Sequence, residues 1–354
     1  MNTIAIRGRM IGEGYPAYII AEMSANHAGN LEYAKEIIRA AKDAGADCVK
    51  IQTYTADTLT INCDNEYFAI DNGLWKGETL YSLYSKAYTP WEWQAQLKAE
   101  AESIGLDFFS TPFDNSAVDF LEDIGVEFYK IASFELVDIP LLQYVASKGK
   151  PIILSTGMAS FDEIRDAVEA VRAQGNGSLA LLKCSSAYPA VPDDMNLRTL
   201  HHMRDEFHVP VGLSDHSLGS IGAVTAVALG ANIIEKHFCL GRDINNPDAA
   251  FSMEPDEFAN MVKDIRTAEK ALGRISYALS DSEKGSLRFR RSIFVVKDIR
   301  QGETLTQENV RCIRPGQGLK PKYYFAVLGR RAKADIKAGT PLQFDLLEDD
   351  GSEK

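Results

Sequence analysis

Val211-Gly212-Leu213-Ser214-Asp215-His216-Ser217 and, after one amphipathic stretch and a glycine, Ile233-Ile234-Glu235-Lys236-His237 decide how this chain folds. Each is a short aliphatic run that ends in charge, too brief for a helix and too apolar for an exposed edge strand. Between them Ser220–Leu229 has helical periodicity and stops at Gly230, the residue type that accepts a left-handed backbone just past a helix. Strand, helix, glycine, strand is the repeating unit of a parallel sheet. Working outward, the unit recurs from Tyr18 to about Gly273. The candidate strands are Tyr18–Glu22, Cys48–Gln52, Asp107–Thr111, Phe128–Ile131, Ile152–Ser155, Ala180–Lys183, Val211–Ser214 and Ile233–His237. Helical patterns at Leu31–Ala44, Pro90–Ile104, Asp162–Gln174 and Asp256–Leu272 likewise stop at Gly45, Gly105, Gly175 and Gly273. Eight such units predict an α/β fold of the (β/α)8 TIM-barrel type, since a doubly wound sheet has fewer or less regular units. The one large interruption, Thr53–Thr89, is too long for an ordinary βα connection and belongs on the rim that carries function.

After Gly273 the pattern breaks. Residues 1–273 form the expected barrel domain, 274–290 a polar linker, and 291–354 a second, β-rich domain. Inside the second domain Asp298-Ile299-Arg300-Gln301-Gly302-Glu303-Thr304-Leu305 echoes Asp335-Ile336-Lys337-Ala338-Gly339-Thr340-Pro341-Leu342, which predicts two related β-turn-β units. A module this small has a thin core and is expected to lean on the barrel or on a partner subunit. An oligomer is therefore expected.

Composition narrows the function. With 38 Lys and Arg against 50 Asp and Glu, the net charge of −12 opposes nonspecific nucleic-acid binding and leaves any anionic substrate dependent on a local cluster of cations. No run of about 18 apolar residues is present, so no membrane span is expected. The start Met1-Asn2-Thr3-Ile4 has no basic flank and apolar core of a signal peptide, and the 5 cysteines are scattered and unpaired by motif. Reduced thiols and a cytoplasmic location are the expectation.

In such a barrel the C-terminal strand ends carry the chemistry. There lie Glu22, Lys50 with Gln52, Ser110-Thr111, Lys130 with Ser133 and Glu135, Ser155-Thr156-Gly157, Lys183 with Ser185-Ser186 and Tyr188, Ser214-Asp215-His216, and Glu235-Lys236-His237. Lys50 and Gln52 share strand parity, as do Lys183 and Ser185, so each pair is expected to project into one pocket. Lysines converging in an acidic protein, beside short hydroxyls and glycine-flanked amides, suit a phosphate group. A single histidine is more often a structural hydrogen-bonding group than a metal ligand, since neutral imidazole serves both roles, but His216 and His237 end adjacent strands. Two imidazoles with water and carboxylate oxygen suit a mobile Mn2+, Mg2+ or Co2+ better than a closed zinc site. Cys184 and Cys239 could join such a site, but the role of small buried hydrophobes suits them better. The aromatics of Trp75–Trp93 suit either packing under a long loop or the face of a sugar.

Six separated motifs resemble the sialic acid synthase family: Ile20-Ala21-Glu22-Met23-Ser24-Ala25-Asn26-His27, Val49-Lys50-Ile51-Gln52-Thr53-Tyr54, Tyr129-Lys130-Ile131-Ala132-Ser133-Phe134-Glu135, Leu154-Ser155-Thr156-Gly157-Met158, Gly212-Leu213-Ser214-Asp215-His216 and Ile234-Glu235-Lys236-His237-Phe238. The second domain, with Arg314-Pro315-Gly316-Gln317-Gly318-Leu319, is similar to that family's antifreeze-like, or SAF (β-clip), domain. The insert Gly73-Leu74-Trp75-Lys76-Gly77-Glu78-Thr79-Leu80-Tyr81 and Ala87-Tyr88-Thr89-Pro90-Trp91-Glu92-Trp93 most resembles the pseudaminic acid-forming branch, the neuraminate and legionaminate branches being the alternatives. The chain departs from many members in having Ser186 where they carry Asn, and Ser24-Ala25 before Asn26-His27 where they carry Gly-Val.

The resemblance implies a transferase that condenses phosphoenolpyruvate with an open-chain N-acetylated amino sugar and water, releasing phosphate by C–O cleavage. For this branch the sugar is 2,4-diacetamido-2,4,6-trideoxy-altrose and the product pseudaminate. It further implies that Lys50, Lys130, Ser133, Ser155, Ser186 and Ser214 hold phosphoenolpyruvate, with Lys183 as neighbour. Glu22, Gln52, Glu135 and Tyr188 would face the sugar, joined by Arg314 from the partner of a domain-swapped homodimer. His216 and His237 would bind the divalent metal. Glu22 is the candidate for positioning or deprotonating the water or the aldehyde group, beside Lys50, Lys130 and Asp215 as catalytic candidates. A noncatalytic carbohydrate-binding protein is the rival of another class; both histidines and all the lysines a catalyst needs speak against it.

Overall fold

The computed structural model describes residues 3–71, 75–243 and 246–348. Ahead of the first barrel strand lies a hairpin that the sequence reading did not anticipate, β1 (Thr3–Ile6) paired antiparallel with β2 (Arg9–Gly12). Its two-residue turn has positive φ at both Arg7 (49°) and Gly8 (77°), the primed geometry whose twist matches that of the flanking strands.

The next eight strands are β3 (Tyr18–Glu22), β4 (Cys48–Thr53), β5 (Asp107–Pro112), β6 (Tyr129–Ile131), β7 (Ile152–Ser155), β8 (Leu179–Cys184), β9 (Val211–Asp215) and β10 (Ile233–His237). They pair in parallel and close into a barrel in the order β10-β3-β4-β5-β6-β7-β8-β9. The predicted eight-unit barrel is therefore present, with each strand within one residue of its predicted ends. The main helix after each strand is α1 (Leu31–Asp43) after β3, then, past two short rim helices α2 (Ala56–Leu59) and α3 (Leu80–Ala87), α4 (Trp91–Ser103) after β4. There follow α5 (Asn115–Asp123), α6 (Ile139–Ser147), α7 (Phe161–Ala173), α8 (Thr199–Phe207), α9 (Ile221–Ala228) and α10 (Pro255–Leu272). Gly45, Gly105, Gly175 and Gly230 take φ of 88°, 68°, 76° and 91°, and Gly273 takes 50°, as their places past helix ends require.

Alternation along each strand splits the core in two. Ile19, Ala21, Val49, Ile51, Leu154, Leu181 and Leu213 pack outward against the helices. Tyr18, Ile20, Cys48, Phe109, Phe128, Ile153, Ala180, Leu182 and Ile233 fill the lumen, and Ile4, Ile6 and Ile11 of the hairpin join that inner cluster. The hairpin therefore packs with the barrel's apolar lower layer and leaves the C-terminal mouth to polar residues. No helix among the described residues is long and apolar enough to cross a membrane.

The described residues from 274 to 348 form a separate compact unit. There β11 (Ser292–Val295) pairs antiparallel with β12 (Val310–Ile313) over a small core that includes Ile293, Val295, Ile299, Leu305, Val310 and Leu342. The predicted repeat is real and reciprocal. Ile299 and Ile336 exchange backbone hydrogen bonds of 2.8 Å in each direction. Asp298 Oδ1 accepts from Ala338 N at 2.8 Å and Asp335 Oδ1 from Gln301 N at 2.7 Å, so each repeat caps the turn of the other.

Candidate active site at the barrel mouth

The parity that places Ile20, Cys48, Phe128, Ile153, Leu182 and Ile233 in the lumen also decides which polar residues face the mouth. Two residues further on, the same strands deliver Glu22, Lys50, Lys130, Ser155, Cys184 and Glu235, with Ser214 on β9 and His237 ending β10. All of these side chains are buried.

They form one connected network. Lys50 Nζ lies 2.5 Å from Glu22 Oε2 and donates to Glu235 Oε1 at 2.9 Å. Lys130 Nζ lies 3.8 Å from the same Glu235 oxygen and donates to Ser155 Oγ at 2.6 Å. Ser214 Oγ also donates to Glu235 Oε1, at 3.2 Å. The Ser24 amide fixes the other Glu22 oxygen at 2.7 Å. Burial opposes the charge on Glu235, but Lys130 and Lys50 overcome it and hold the carboxyl down to about 2. Burial, only partly offset by Glu235, brings the Lys50 ammonium down to about 8.

Beside this network sits a pocket of hydroxyls. The Gly157 amide donates to Ser133 Oγ at 3.1 Å. A Cβ at Gly157 would meet Ser186 Oγ at 2.1 Å and Ser133 Oγ at 2.7 Å, so only glycine lets both serines close in. Cys184 Sγ lies 3.8 Å from Ser186 Oγ and 3.7 Å from His216 Nδ1. Burial opposes its ionisation, yet His216, Ser133 and Lys130 bring the thiol down to about 7. Cys184 thus faces the site rather than serving as an inert small hydrophobe.

The two histidines meet. Their ring centroids are 5.2 Å apart, and Tyr188 and Phe251 flank them, Tyr188 at 4.5 Å from His216 and Phe251 at 4.9 Å from His237. His216 Nδ1 donates to Ser185 O at 3.1 Å, so the neutral ring presents its lone pair on Nε2; burial opposes protonation of this imidazole, but Cys184 and the Ser185 carbonyl together raise its pKa. Burial keeps His237 neutral, and its Nδ1 is a buried atom without a hydrogen-bond partner, 4.0 Å from Asp248 Oδ2. A fixed tautomer and an orphaned imidazole nitrogen on adjacent strands fit a divalent cation. Among the described residues no cluster of three or more His, Cys, Asp or Glu forms a ligand set, so such an ion would take its remaining ligands from water and substrate.

The residues expected to face a sugar lie around the same opening. Gln52 is half-buried one step above Lys50, and Glu135 occupies the turn after β6 with its carboxyl lifted to about 7 by burial. Burial holds the Tyr188 phenol well above its usual range. The aromatic insertion divides in its uses. Trp91 packs on Phe120 at 4.8 Å and Trp93 on His27 at 5.8 Å, whereas Trp75 approaches Tyr188 at 6.0 Å. The first residues of that insert motif, Gly73-Leu74, lie outside the described residues.

Two expectations are corrected. Asp215 was expected among the catalytic residues, but it alternates to the helix side of β9. Its Oδ2 accepts from Lys236 Nζ at 2.8 Å and its Oδ1 from Ser217 N and Oγ at 2.9 and 2.6 Å, so the carboxylate holds the strand-end turn. Lys183 was paired with Ser185 by spacing. The lumen parity of β8 belongs to Ala180, Leu182 and Cys184, and Lys183 starts from the outer side, donating to Cys184 O at 3.0 Å. Arg314 is exposed in the second unit. Glu235 stood at a predicted strand end without a role; the shared parity of Glu235-x-His237 marks it. Asp248 lies in an aperiodic loop, where no sequence signal singles it out.

The NeuB family model matches residues 37–277 and the SAF domain model residues 290–348. The pseudaminic acid synthase of Campylobacter jejuni subsp. jejuni serotype O:2 is 47% identical over 326 residues, 92% of this chain and 95% of that one. The pseudaminic acid synthase of Helicobacter pylori is 45% identical over 334 residues, 94% and 98% of the two chains. Among solved structures, the N-acetylneuraminic acid synthetase of Leptospira borgpetersenii serovar Hardjo-bovis in complex with citrate is 33% identical and superposes with a TM-score of 0.72, covering 81% of this chain and 96% of that one. With a closed eight-stranded barrel, a NeuB match over most of it and a SAF match C-terminal to that, the chain belongs to the NeuB family.

Proposed function

We propose that this protein is an enzyme that makes pseudaminate, a transferase joining phosphoenolpyruvate to 2,4-diacetamido-2,4,6-trideoxy-altrose with release of phosphate. The observation that carries the reading is the meeting of Lys50 and Lys130 with His216 and His237 at one barrel mouth, in a chain nearly half identical to pseudaminic acid synthases. Two ammonium groups beside the Ser133–Gly157–Ser186 pocket suit a small molecule that carries both a carboxylate and a phosphate.

In this reading Lys50, Lys130, Ser133, Ser155, Ser186 and Ser214 hold phosphoenolpyruvate. Gln52, Glu135 and Tyr188 orient the acceptor so that C3 of phosphoenolpyruvate faces its aldehyde carbon. His216 and His237 would hold a divalent cation (Mn2+, Mg2+ or Co2+), whose chemistry when bound is Lewis-acid polarisation of an aldehyde oxygen. Bond formation at C3 develops positive charge at C2, and water adds there while Glu22, fixed by the Ser24 amide, takes its proton. The resulting phosphate hemiketal breaks its C–O bond, and Lys50 and Lys130 stabilise the departing phosphate. Arg314 meets the acceptor's N-acetyl group from the partner of a homodimer. Five free cysteines suit the reducing cytoplasm, where phosphoenolpyruvate is made.

Incubating the protein with phosphoenolpyruvate, Mn2+ and a panel of acetamido sugars tests the reading. The expected result is one phosphate released per nine-carbon acid, with the 2,4-diacetamido-6-deoxy sugar the preferred acceptor. Preference for N-acetylmannosamine or the legionaminate precursor would move the chain to a neighbouring branch, and sugar binding without phosphoenolpyruvate consumption would end the enzyme reading.

A further inference from the structure

The three tryptophans of the chain have different fates. Trp91 is spent in packing on Phe120 with its Nε1 donating to Tyr54 O at 3.1 Å, and Trp93 packs against His27. Trp75 instead stands on the rim, its ring tilted by 53° to that of Tyr188. Its one polar atom is engaged, because Nε1 donates to Pro247 O at 3.4 Å. What it offers to a ligand is hydrocarbon surface. The adjoining cavity of about 640 Å³ is lined by Trp75, Ala25, Ala28, Leu83, Pro247 and Ala250 together with the polar Lys76 and Asn246, while Glu78 and Lys86 are paired with each other at 2.6 Å, so the apolar preference falls on the indole face itself.

We propose that Trp75 determines acceptor specificity by receiving the end of the sugar remote from its aldehyde and favouring a methyl terminus there over a hydroxymethyl one. The inference rests on the acceptor class proposed above. Distance supports it. From His216 the route outward is one ring step of 4.5 Å to Tyr188 and another of 6.0 Å to Trp75. An extended six-carbon chain has five C–C bonds of about 1.5 Å and reaches roughly 6–7 Å. The two steps bound the separation of the outer rings at 10.5 Å, within reach of such a chain once a van der Waals contact of about 3.5–4 Å is added at each end, so a sugar with its aldehyde at the imidazoles and its middle along Tyr188 brings C6 to the indole. A methyl group packs there, whereas a hydroxyl at C6 finds no free donor or acceptor on the tryptophan and loses its water. Apolar walls of this kind discriminate against an added hydroxyl by up to about a hundredfold.

The test is kcat/KM for the 2,4-diacetamido-6-deoxy acceptor and for its 6-hydroxy counterpart, in wild type, Trp75→Ala and Trp75→Phe. Trp75→Ala is expected to lose about tenfold or more on the deoxy acceptor, through KM with kcat little changed, and less than about twofold on the hydroxy acceptor. Trp75→Phe should keep most of the preference, and KM for phosphoenolpyruvate should stay constant in both variants. Equal losses on the two acceptors, or an unchanged preference in Trp75→Ala, would overturn the role of Trp75 alone. Wild-type protein that consumes neither acceptor would overturn the acceptor class, and with it this inference.

Discussion

Raising the pH from 7 to 9 should loosen phosphoenolpyruvate, chiefly through Lys50 and with a smaller contribution of the same sign from the Cys184 thiol, which titrates near 7 beside Ser186. Lys50 is wholly buried, and burial brings its ammonium down to about 8 even with Glu235 at 2.9 Å. An anion placed against Lys50 favours the protonated form, so binding requires a proton that the free protein progressively lacks above that pH. For one group titrating near 8, the apparent Kd rises by roughly tenfold between pH 7 and pH 9, or about 1.4 kcal/mol. The ligand adds little titration of its own, since the second pKa of a phosphate monoester, near 6, lies below this range. Isothermal titration in buffers of different ionisation enthalpy would report the same event as uptake of about half a proton per ligand at pH 8. Lys50→Arg supplies a charge that does not titrate in this range and should remove the step near pH 8, leaving only the shallower dependence that Cys184 contributes near pH 7, whatever it does to affinity. Flat affinity from pH 7 to 9 in wild type, with no proton uptake, would refute the argument that Lys50 meets the anion from a desolvated position.

Other consequences follow from the same geometry. Lys130→Met removes the group that joins Ser155 to Glu235 and should lower kcat/KM for phosphoenolpyruvate by about 10²–10³, read by phosphate release. Ile11→Ala in the hairpin, fully buried in the lumen cluster, should cost about 2–5 kcal/mol in urea unfolding while leaving the phosphoenolpyruvate Kd unchanged, because it lies at the opposite end of the barrel from the mouth. Arg314→Ala should raise KM for the acceptor without altering phosphoenolpyruvate binding, and light scattering of the wild type should give the mass of a dimer; a monomer with full activity would remove the partner's role.

Strand ends and helix-stopping glycines were legible because a buried parallel strand and a left-handed C′ position each restrict residue type narrowly. Lys50, Lys130, Ser214 and His237 could be placed for the same reason: once a strand's apolar residues fix its lumen side, parity carries to its end. Lys183 shows the limit of that reasoning. Spacing ties it to Ser185, but which of two alternating sets faces inward depends on the whole strand, and Ala180 and Leu182 had already taken the lumen. Asp215 misled in the same way, its neighbours Ser214 and His216 being the residues at the mouth. The hairpin of residues 3–12 escaped notice because two four-residue strands give no periodic signal until Ile4, Ile6 and Ile11 are seen packed under the barrel. Asp248 is set by a loop whose course depends on contacts with Ala25 and His237, distant in sequence.

The most direct test of the shared mouth is a crystal structure of the protein with phosphoenolpyruvate and Mn2+, with the metal located by its anomalous scattering. The account predicts one Mn2+ between His216 and His237, and a phosphate within hydrogen-bonding distance of Lys50 or Lys130 in the same cavity. Metal bound away from both imidazoles, or phosphoenolpyruvate on another face of the barrel, would contradict it.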